Sequence, residues 1–189
     1  MTDRRVGPWI RHSRATAYAN DWIEVYHDEV TRPDGSSGVY GVVHFRARAV
    51  GAVVLDDEDR VLLVGQHRYP LERDSWEIPE GGSPHDEAPL DGIRRELSEE
   101  TGYRASSWRE LIRFSLSNSV SDEEGVLYVA TDLEAGAAAP DATEQLQVRW
   151  VRFADAIAMI DRGEIHDAMT QIGLLALARE RSRGSSGRS

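Results

Sequence analysis

Residues 81–103 read GGSPHDEAPLDGIRRELSEETGY, and the fold of the whole chain can be inferred outward from this stretch. Its key positions fit the pattern G-x5-E-x7-R-E-L-x-E-E-x-G, with Gly81, Glu87, Arg95, Glu96, Glu99, Glu100 and Gly102 at the fixed places. Seven such identities would match by chance on the order of 10⁻⁸ per starting position at average residue usage. A charge run usually marks a solvated helix face, but such a face needs neither these glycines nor the arginine. The pattern therefore indicates a functional site.

Residues 87–101 are predicted to form a helix. Asp86 is placed to cap its start, and Pro89 is tolerated in a first helical turn. Gly102 stands where a helix often ends in a left-handed residue. The helical spacing puts an apolar stripe on one face, formed by Leu90, Ile93 and Leu97.

The glutamates of this helix are predicted to hold a cation. Glu96 and Glu100 are four residues apart, so their carboxylates are neighbours on the helix surface, and Glu99 flanks the same edge. Three negative charges so close repel each other unless a positive charge lies among them. Mg²⁺ suits carboxylates together with phosphate oxygens. Arg95 is four residues before Glu99, so the two can pair and fix the direction of that carboxylate.

The stretch resembles the Nudix box, the signature of Mg²⁺-dependent hydrolases of nucleoside diphosphates linked to a second group. The resemblance implies that Mg²⁺, or Mn²⁺ as a substitute, is held by Glu96, Glu99, Glu100 and the main-chain carbonyl of Glu80. One position departs from the family. Tyr103 stands where a branched aliphatic residue is usual, which concerns local packing and not chemistry.

Composition excludes several function classes. The chain has 189 residues, no cysteine, and 22 basic residues that are all arginine. Disulfides, thiol nucleophiles, Schiff-base lysines and a Walker-type phosphate loop are therefore excluded. A formal net charge of −11 argues against a nucleic-acid polymer as partner. No apolar run could span a membrane and no secretory core begins the chain, so we expect a cytoplasmic protein.

The order of predicted elements indicates an α/β/α sandwich with a mixed sheet, preceded by a small N-terminal antiparallel β-sheet. We expect three segments: an N-terminal β-sheet extension (1–45), a Nudix hydrolase domain (46–181) and a flexible tail (182–189). Within the extension, residues 1–14 are interpreted as a loosely ordered lead-in. The predicted strands are 17–30, 39–45, a hairpin of 50–55 with 61–64, 108–115, 126–131 and 147–151; the later helices are 154–161 and 166–181, and 136–140 is a loop.

Two upstream segments, 66–69 and 76–82, resemble the ADP-ribose pyrophosphatase branch of the family, which carries Gln-Tyr-Arg and Trp-Glu-(Leu/Ile)-Pro-Ala-Gly there. His67 and Glu80 are departures. Arg68 is predicted to contact phosphate or ribose, since guanidinium fits such oxygens bidentately; the alternative is a surface salt bridge. Glu77 is assigned to substrate binding or support of the site, and Trp76 to the core.

Residues 117–124 occupy the place of the branch's Ser-Pro-Gly-Phe-(Ser/Thr)-Asp-Glu loop, whose last glutamate orients or deprotonates the attacking water. Glu123 aligns with that glutamate, and Glu124 is the rival. The catalytic set is thus Glu123, Glu99 and Arg95. Asn118 replaces the proline of ADP-ribose-specific members, so a broad nucleoside diphosphate sugar hydrolase is the alternative to ADP-ribose cleavage into AMP and ribose 5-phosphate.

The resemblance also implies a homodimer in which the N-terminal sheet is exchanged between subunits and helps to hold the base. Trp22, Tyr26 and Tyr40 lie in this region; each is typical of packing, and Trp22 is our choice if one stacks on the base. Two other function classes fit the sequence less well. A non-catalytic nucleotide-sugar sensor usually loses box carboxylates, and a protein-interaction scaffold would not need clustered glutamates.

Overall fold

The computed structural model describes residues 3–137 and 146–186, with side chains up to residue 184. These residues form two compact units: residues 3–48 with 115–124, and residues 49–114 with 125–137 and 146–186. Among them no helix is long and apolar enough to cross a membrane.

The first unit is built on an antiparallel sheet in the order β1-β2-β3-β4, whose strands are Arg4–Val6, Trp9–Ala19, Ile23–Thr31 and Ser37–Phe45. The prediction of a loosely ordered lead-in over 1–14 is wrong for the described residues, because β1 and the first half of β2 lie there. Gly7, with a φ of 57°, makes the turn between them. The ring of Trp9 packs edge-on against Tyr40 at 5.3 Å, a contact that local sequence does not reveal.

Residues 115–124 belong to this first unit because they bind strand β4. The backbone amide of Val43 donates to the carbonyl of Val120 at 2.8 Å. The Tyr40 hydroxyl donates to the carbonyl of Ser119 at 2.7 Å. Asp122 accepts the amide of Phe45 at 3.1 Å and contacts His44 Nδ1 at 2.6 Å. The N-terminal sheet therefore holds the loop that carries Glu123.

The second unit contains two further sheets. One has the order β8-β5-β10-β9, with strands Glu80–Pro84, Ala47–Val54, Glu124–Ala135 and Tyr103–Ser115; β5 and β10 run parallel. The other is antiparallel in the order β11-β6-β7, with strands Gln147–Arg152, Arg60–Arg68 and Arg73–Glu77. The helices are α1 (Pro89–Thr101), α2 (Phe153–Asp161) and α3 (Ala168–Ser186), and a short 3₁₀ helix covers Tyr69–Leu71.

The predicted hairpin of 50–55 with 61–64 is wrong. Leu55, directly after β5, forms one isolated bridge with Val61, and strands β5 and β6 lie in different sheets. Both are buried along most of their length, as their continuous apolar character predicted. Because neither face is distinguished by polarity, the local sequence does not specify which strand each one pairs with. Strands β7 and β8 were not predicted either.

Helix α1 matches the prediction on its buried face and differs at its start. Ile93 and Leu97 are fully buried in the core. Gly102 adopts a φ of 73° and ends the helix, as expected. The helix begins at Pro89 after an extended Ala88 with no side-chain cap, so the prediction of an Asp86 cap is wrong.

The C-terminal helix is longer than predicted. Helix α3 continues through Ser186, so the tail expected from residue 182 is helical up to that point, and residues 187–189 lie outside the described range. The loop predicted at 136–140 also falls mostly outside it.

Tyr103 is accommodated in the core. Its ring packs edge-on against Trp150 at 5.5 Å, and its hydroxyl accepts a hydrogen bond from Trp150 Nε1 at 3.3 Å. The indole thus supplies a partner for the hydroxyl that an aliphatic residue would not need.

Candidate active site

Strand β8 and helix α1 approach each other closely because each has a glycine at the contact: Gly81 in β8 and Gly92 in α1. A Cβ on Gly81 would lie 2.3 Å from the carboxyl carbon of Glu96. A Cβ on Gly92 would lie 2.6 Å from Cβ of Ser83. The sequence pattern includes Gly81 but missed Gly92. Gly92 could have been found from its place inside the predicted helix. A glycine there lowers helix stability by about 1 kcal/mol relative to alanine, so its presence indicates close packing.

Arg95 donates hydrogen bonds to three carboxylates, those of Glu87, Glu96 and Glu99. Its Nη1 donates to Glu96 at 2.8 Å and to Glu99 at 3.1 Å, so the predicted pairing with Glu99 is present. Its Nη2 donates to the carbonyl of Gly82 at 2.9 Å and to Glu87 at 3.2 Å. These bonds, that to Glu87 first, raise the pKa of Arg95 above its ordinary value. The guanidinium therefore fixes the directions of three glutamates beside the β8 backbone.

The three predicted metal ligands of α1 differ in exposure. The Glu99 side chain is 44% exposed and that of Glu96 is 17% exposed, whereas Glu100 is buried. An entering cation could thus reach Glu99 from solvent, while Glu96 and Glu100 lie deeper. This difference in exposure suits a site in which the buried carboxylates are fixed by packing and the exposed one meets the substrate.

A second polar network surrounds Glu77. Arg68 Nε donates to both oxygens of this buried carboxylate, at 2.9 and 3.1 Å, and Gln66 donates to it at 3.2 Å. Arg68 Nη2 also reaches Oε1 of Glu80 at 3.2 Å. Arg68 keeps 37% of its side chain exposed, so it can still meet a ligand. Contact with phosphate or ribose stays a prediction, as does a substrate role for Glu77.

Glu80 offers a side-chain carboxylate in addition to the main-chain carbonyl that the sequence predicts as a metal ligand. Carboxylate oxygens of Glu77, Glu80 and Asp167 lie within 4.8 Å of one another. Burial first, and then the charges of Asp167 and Glu77, raise the pKa of Glu80 well above its ordinary value. Its Oε2 is buried and has no hydrogen-bond partner in the described part of the chain. Asp167 was not predicted from the sequence as a site residue. Its carboxylate also accepts a hydrogen bond from the backbone amide of Thr170 at 2.7 Å, at the start of α3.

These residues fit a divalent cation. Carboxylate oxygens are the donors that hard cations prefer. The space that a side chain at position 81 would fill is instead taken by the Glu96 carboxylate. The buried oxygen of Glu80 adds a donor that lacks a protein partner within the described residues. The carboxylates of Glu77, Glu80 and Asp167 therefore form a set of oxygen donors suited to such an ion. The role of Glu96, Glu99 and Glu100 as its ligands stays a prediction.

The loop carboxylates lie in the first unit and differ in environment. Glu123 is half-buried, and its backbone carbonyl accepts the amide of Leu116 at 3.0 Å. Burial, and then the neighbouring charge of Asp122, raises the pKa of Glu123. Glu124 is exposed at the start of β10. A carboxylate with a raised pKa is the better proton acceptor, which favours Glu123 as the predicted base.

The N-terminal aromatic residues separate into packed and exposed ones. Tyr26 stacks with His44 at 5.8 Å and lies under the guanidinium of Arg14 at 4.2 Å. Tyr40 packs against Trp9. Trp22 is 72% exposed, in the turn between β2 and β3. Its ring is thus the one of the three predicted candidates that is free to stack on a base.

Comparison with known proteins matches the chain to two family models. The NUDIX domain matches residues 45–171, and the nucleoside diphosphate sugar hydrolase N-terminal domain matches residues 9–43. The chain is 33% identical over 175 residues to an ADP-ribose pyrophosphatase of Mycobacterium tuberculosis, covering 87% of this chain and 81% of the relative. It is 28% identical over 172 residues to a CMP-5'-(N-acetyl-N-hydroxy-3-aminopropyl)phosphonate hydrolase of Streptomyces rubellomurinus, covering 89% and 82%.

A solved structure described as an ADP compounds hydrolase has the same fold. It aligns with a TM-score of 0.84 at 20% identity, over 96% of this chain and 98% of the other. The fold class expected from sequence, a mixed sheet with helices preceded by a small antiparallel sheet, is confirmed. The chain therefore belongs to the Nudix family and is a pyrophosphohydrolase related to the ADP-ribose pyrophosphatases.

Proposed function

We propose that the protein hydrolyses the pyrophosphate bond of a nucleoside diphosphate derivative, with ADP-ribose, cleaved to AMP and ribose 5-phosphate, as the best candidate. The observation that carries this proposal is the set of hydrogen bonds by which the Arg95 guanidinium holds Glu87, Glu96 and Glu99 beside the backbone of β8. Three carboxylates thus converge on one arginine, which also donates to the main-chain carbonyl of Gly82 in β8.

Glu96, Glu99, Glu100 and the Glu80 carbonyl would hold the metal ion, which we propose to be Mg²⁺. When bound, this ion neutralises pyrophosphate charge and lowers the pKa of a water molecule. Arg95 holds the Glu96 and Glu99 carboxylates in place. Glu123 takes the proton from the attacking water, a task that suits its raised pKa. Arg68 binds a phosphate or ribose oxygen through the donors that Glu77 leaves available.

The choice of ADP-ribose is supported by the resemblance at residues 66–82 and by the Mycobacterium tuberculosis relative, which is named as an ADP-ribose pyrophosphatase. Broad nucleoside diphosphate sugar hydrolysis, for example of GDP-mannose, is the second candidate. Asn118 in place of the branch's proline and the match of residues 9–43 to the sugar hydrolase N-terminal domain favour it. The Streptomyces rubellomurinus relative, named for a CMP-linked substrate, is a reason to test several bases. A non-catalytic sensor is not favoured, because all the box carboxylates are present.

The N-terminal extension of residues 1–45 is proposed to form a homodimer and to place Trp22 against the base. Its exposed aromatic side chains Tyr18 and Trp22 support this idea, since aromatic residues are enriched at interface cores. A cytoplasmic location stays a prediction from the sequence.

A panel of ADP-ribose, GDP-mannose, UDP-glucose and a dinucleotide tests the substrate assignment. Phosphomonoester release would be measured for each at equal concentration with Mg²⁺. We expect ADP-ribose to give the highest kcat/KM. Equal rates across the sugar nucleotides would favour the broad hydrolase, and no release from any member would overturn the enzyme assignment.

A further inference from the structure

The hairpin of β1 with the start of β2 concentrates positive charge in a chain that is strongly negative. The chain has a formal net charge of −11, but residues 3–14 contain four arginines and one aspartate. Together they form a groove of about 640 Å³ lined by Asp3, Arg4, Arg5, Arg11, His12, Ser13 and Arg14, which we term the arginine groove.

The strand register brings like charges together in this groove. Arg4 lies directly opposite Arg11 in the antiparallel pair. Like charges at opposed positions destabilise a sheet. The register of β2 with β3 also shifts between Arg11 and Ser13. Such irregularities re-aim side chains and are common beside functional sites. A local rule broken without a structural gain is most often broken at a functional site.

The guanidiniums of the groove are not all committed to ion pairs. Arg14 is committed, since it donates twice to Asp28 at 2.7 and 2.6 Å. Arg11 reaches Asp28 only at 3.8 Å, although its side chain is mostly buried. Arg4 and Arg5 are exposed and form no ion pair with any residue that the structure describes. The donors of Arg4 and Arg5 are therefore available to a ligand, and Arg11 makes only a long contact with Asp28.

We propose that the arginine groove binds a phosphorylated small molecule carrying at least two negative charges. Guanidinium forks match phosphate oxygens bidentately, and two opposed arginines offer two such forks. The volume lies within the range of small-molecule sites. The negative charge of the chain as a whole disfavours an extended polyanion, which would meet repulsion beyond the groove. None of the residues that line the groove is assigned to the carboxylate site of β8 and α1, and the proposal does not rest on the proposed hydrolysis.

Asp3 provides an internal test of this inference. Its carboxylate lies in the groove, paired with His12 Nδ1 at 3.0 Å, while His12 Nε2 contacts Thr31 at 2.7 Å. A negative charge at this position weakens the attraction for an anion. If the groove binds phosphate groups, removing this charge strengthens binding, whereas removing an arginine weakens it.

The experiment is calorimetric titration of pyrophosphate, and separately of ADP, into the full chain in EDTA, so that no divalent ion draws the probe to the carboxylate site. We expect saturable binding that weakens about tenfold in Arg4→Gln and in Arg11→Gln. Asp3→Asn should bind a few-fold more tightly. Arg152→Gln, which removes an exposed arginine of β11, is the matched control and should bind as the wild type does. Thermal unfolding of each variant establishes that it is folded.

Both probes binding equally would assign the groove to phosphate groups in general, and tighter binding of ADP would assign it to nucleotides; each supports the proposal. Absence of saturable binding to the wild type would overturn it, as would equal affinities of Arg4→Gln and Arg152→Gln. If the arginine variants change only the oligomeric state measured by light scattering, the groove takes an acidic surface of a second copy and the proposal is wrong.

Discussion

Gly81 and Glu96 form the tightest fit of the candidate active site. A side chain of even one carbon at position 81 would lie 2.3 Å from the carboxyl carbon of Glu96 and 2.6 Å from each of its oxygens. Such distances are well inside van der Waals contact, so the Glu96 carboxylate occupies the place that a side chain of residue 81 would take. The first glycine of the sequence pattern is therefore required by a carboxylate of the helix.

Gly81→Ala should displace the Glu96 carboxylate without unfolding the protein, because the clashing group is the end of a flexible side chain. We expect the Mg²⁺ concentration for half-maximal activity to rise about tenfold, since one metal ligand is misplaced. Activity would be titrated with Mg²⁺ at saturating substrate. Gly184→Ala is the control, since a Cβ there meets nothing within 4 Å. An unchanged Mg²⁺ dependence in Gly81→Ala would show that Glu96 is not a ligand.

Glu123→Gln should lower kcat by a factor of about 10² to 10⁴, the usual contribution of a positioned base, and should change Mg²⁺ affinity little. Glu124→Gln is the matched control and should be mild. A base must be deprotonated, and the pKa of Glu123 is raised. As the pH is lowered, the wild-type kcat should therefore begin to fall while the pH is still above the ordinary pKa of a glutamate. The pH profiles of the three proteins check this. A larger loss in Glu124→Gln would assign the role to the other carboxylate.

The site shows what local sequence can and cannot predict. Helix α1 was predicted with its buried stripe and Gly102 end because its determinants all lie within the helix segment itself. The pairing of β5 with β10 was not, because two strands buried on both faces offer no alternation from which to infer a partner. Asp167 was missed for a related reason. It is distant in sequence from Glu77 and Glu80, and only the tertiary fold brings their carboxylates together.

The ion pair of Arg14 with Asp28 should stabilise the N-terminal sheet in a pH-dependent way. The guanidinium lowers the pKa of the Asp28 carboxyl. The stabilisation is therefore complete above the unfolded-state pKa, near 4, and is lost as the pH falls through the lower folded-state value. Asp28→Asn should cost about 2 kcal/mol at pH 7, less than a fully buried pair because Arg14 keeps a third of its side chain exposed.

Urea unfolding of wild type and Asp28→Asn at pH 7 and pH 3 would measure this difference in the free energy of unfolding. It should shrink at the lower pH. Asp34→Asn is a control at an exposed turn of the same sheet, expected to change stability less. A difference of the same size at both pH values would mean that the pair does not act through charge.

The N-terminal extension is predicted to form a homodimer through residues 17–45. Trp22, Tyr18 and Val39 are each more than half exposed there. Aromatic residues are enriched at the cores of protein interfaces, which favours this prediction. Light scattering of the full chain should give twice the chain mass, and Trp22→Ala should weaken the association. A monomer with full activity would contradict the dimer and the proposed role of Trp22 at the base.

The central claim is metal-dependent hydrolysis at the carboxylates of helix α1, and the release of AMP from ADP-ribose tests it most directly. The wild type and Glu100→Gln would be compared at saturating Mg²⁺, with circular dichroism to establish that both are folded. We predict equimolar AMP and ribose 5-phosphate from the wild type, none in EDTA, and a rate about 10³-fold lower in Glu100→Gln, since losing a charged ligand removes several kcal/mol of transition-state stabilisation. Turnover in EDTA, or a wild-type rate in Glu100→Gln, would contradict the account.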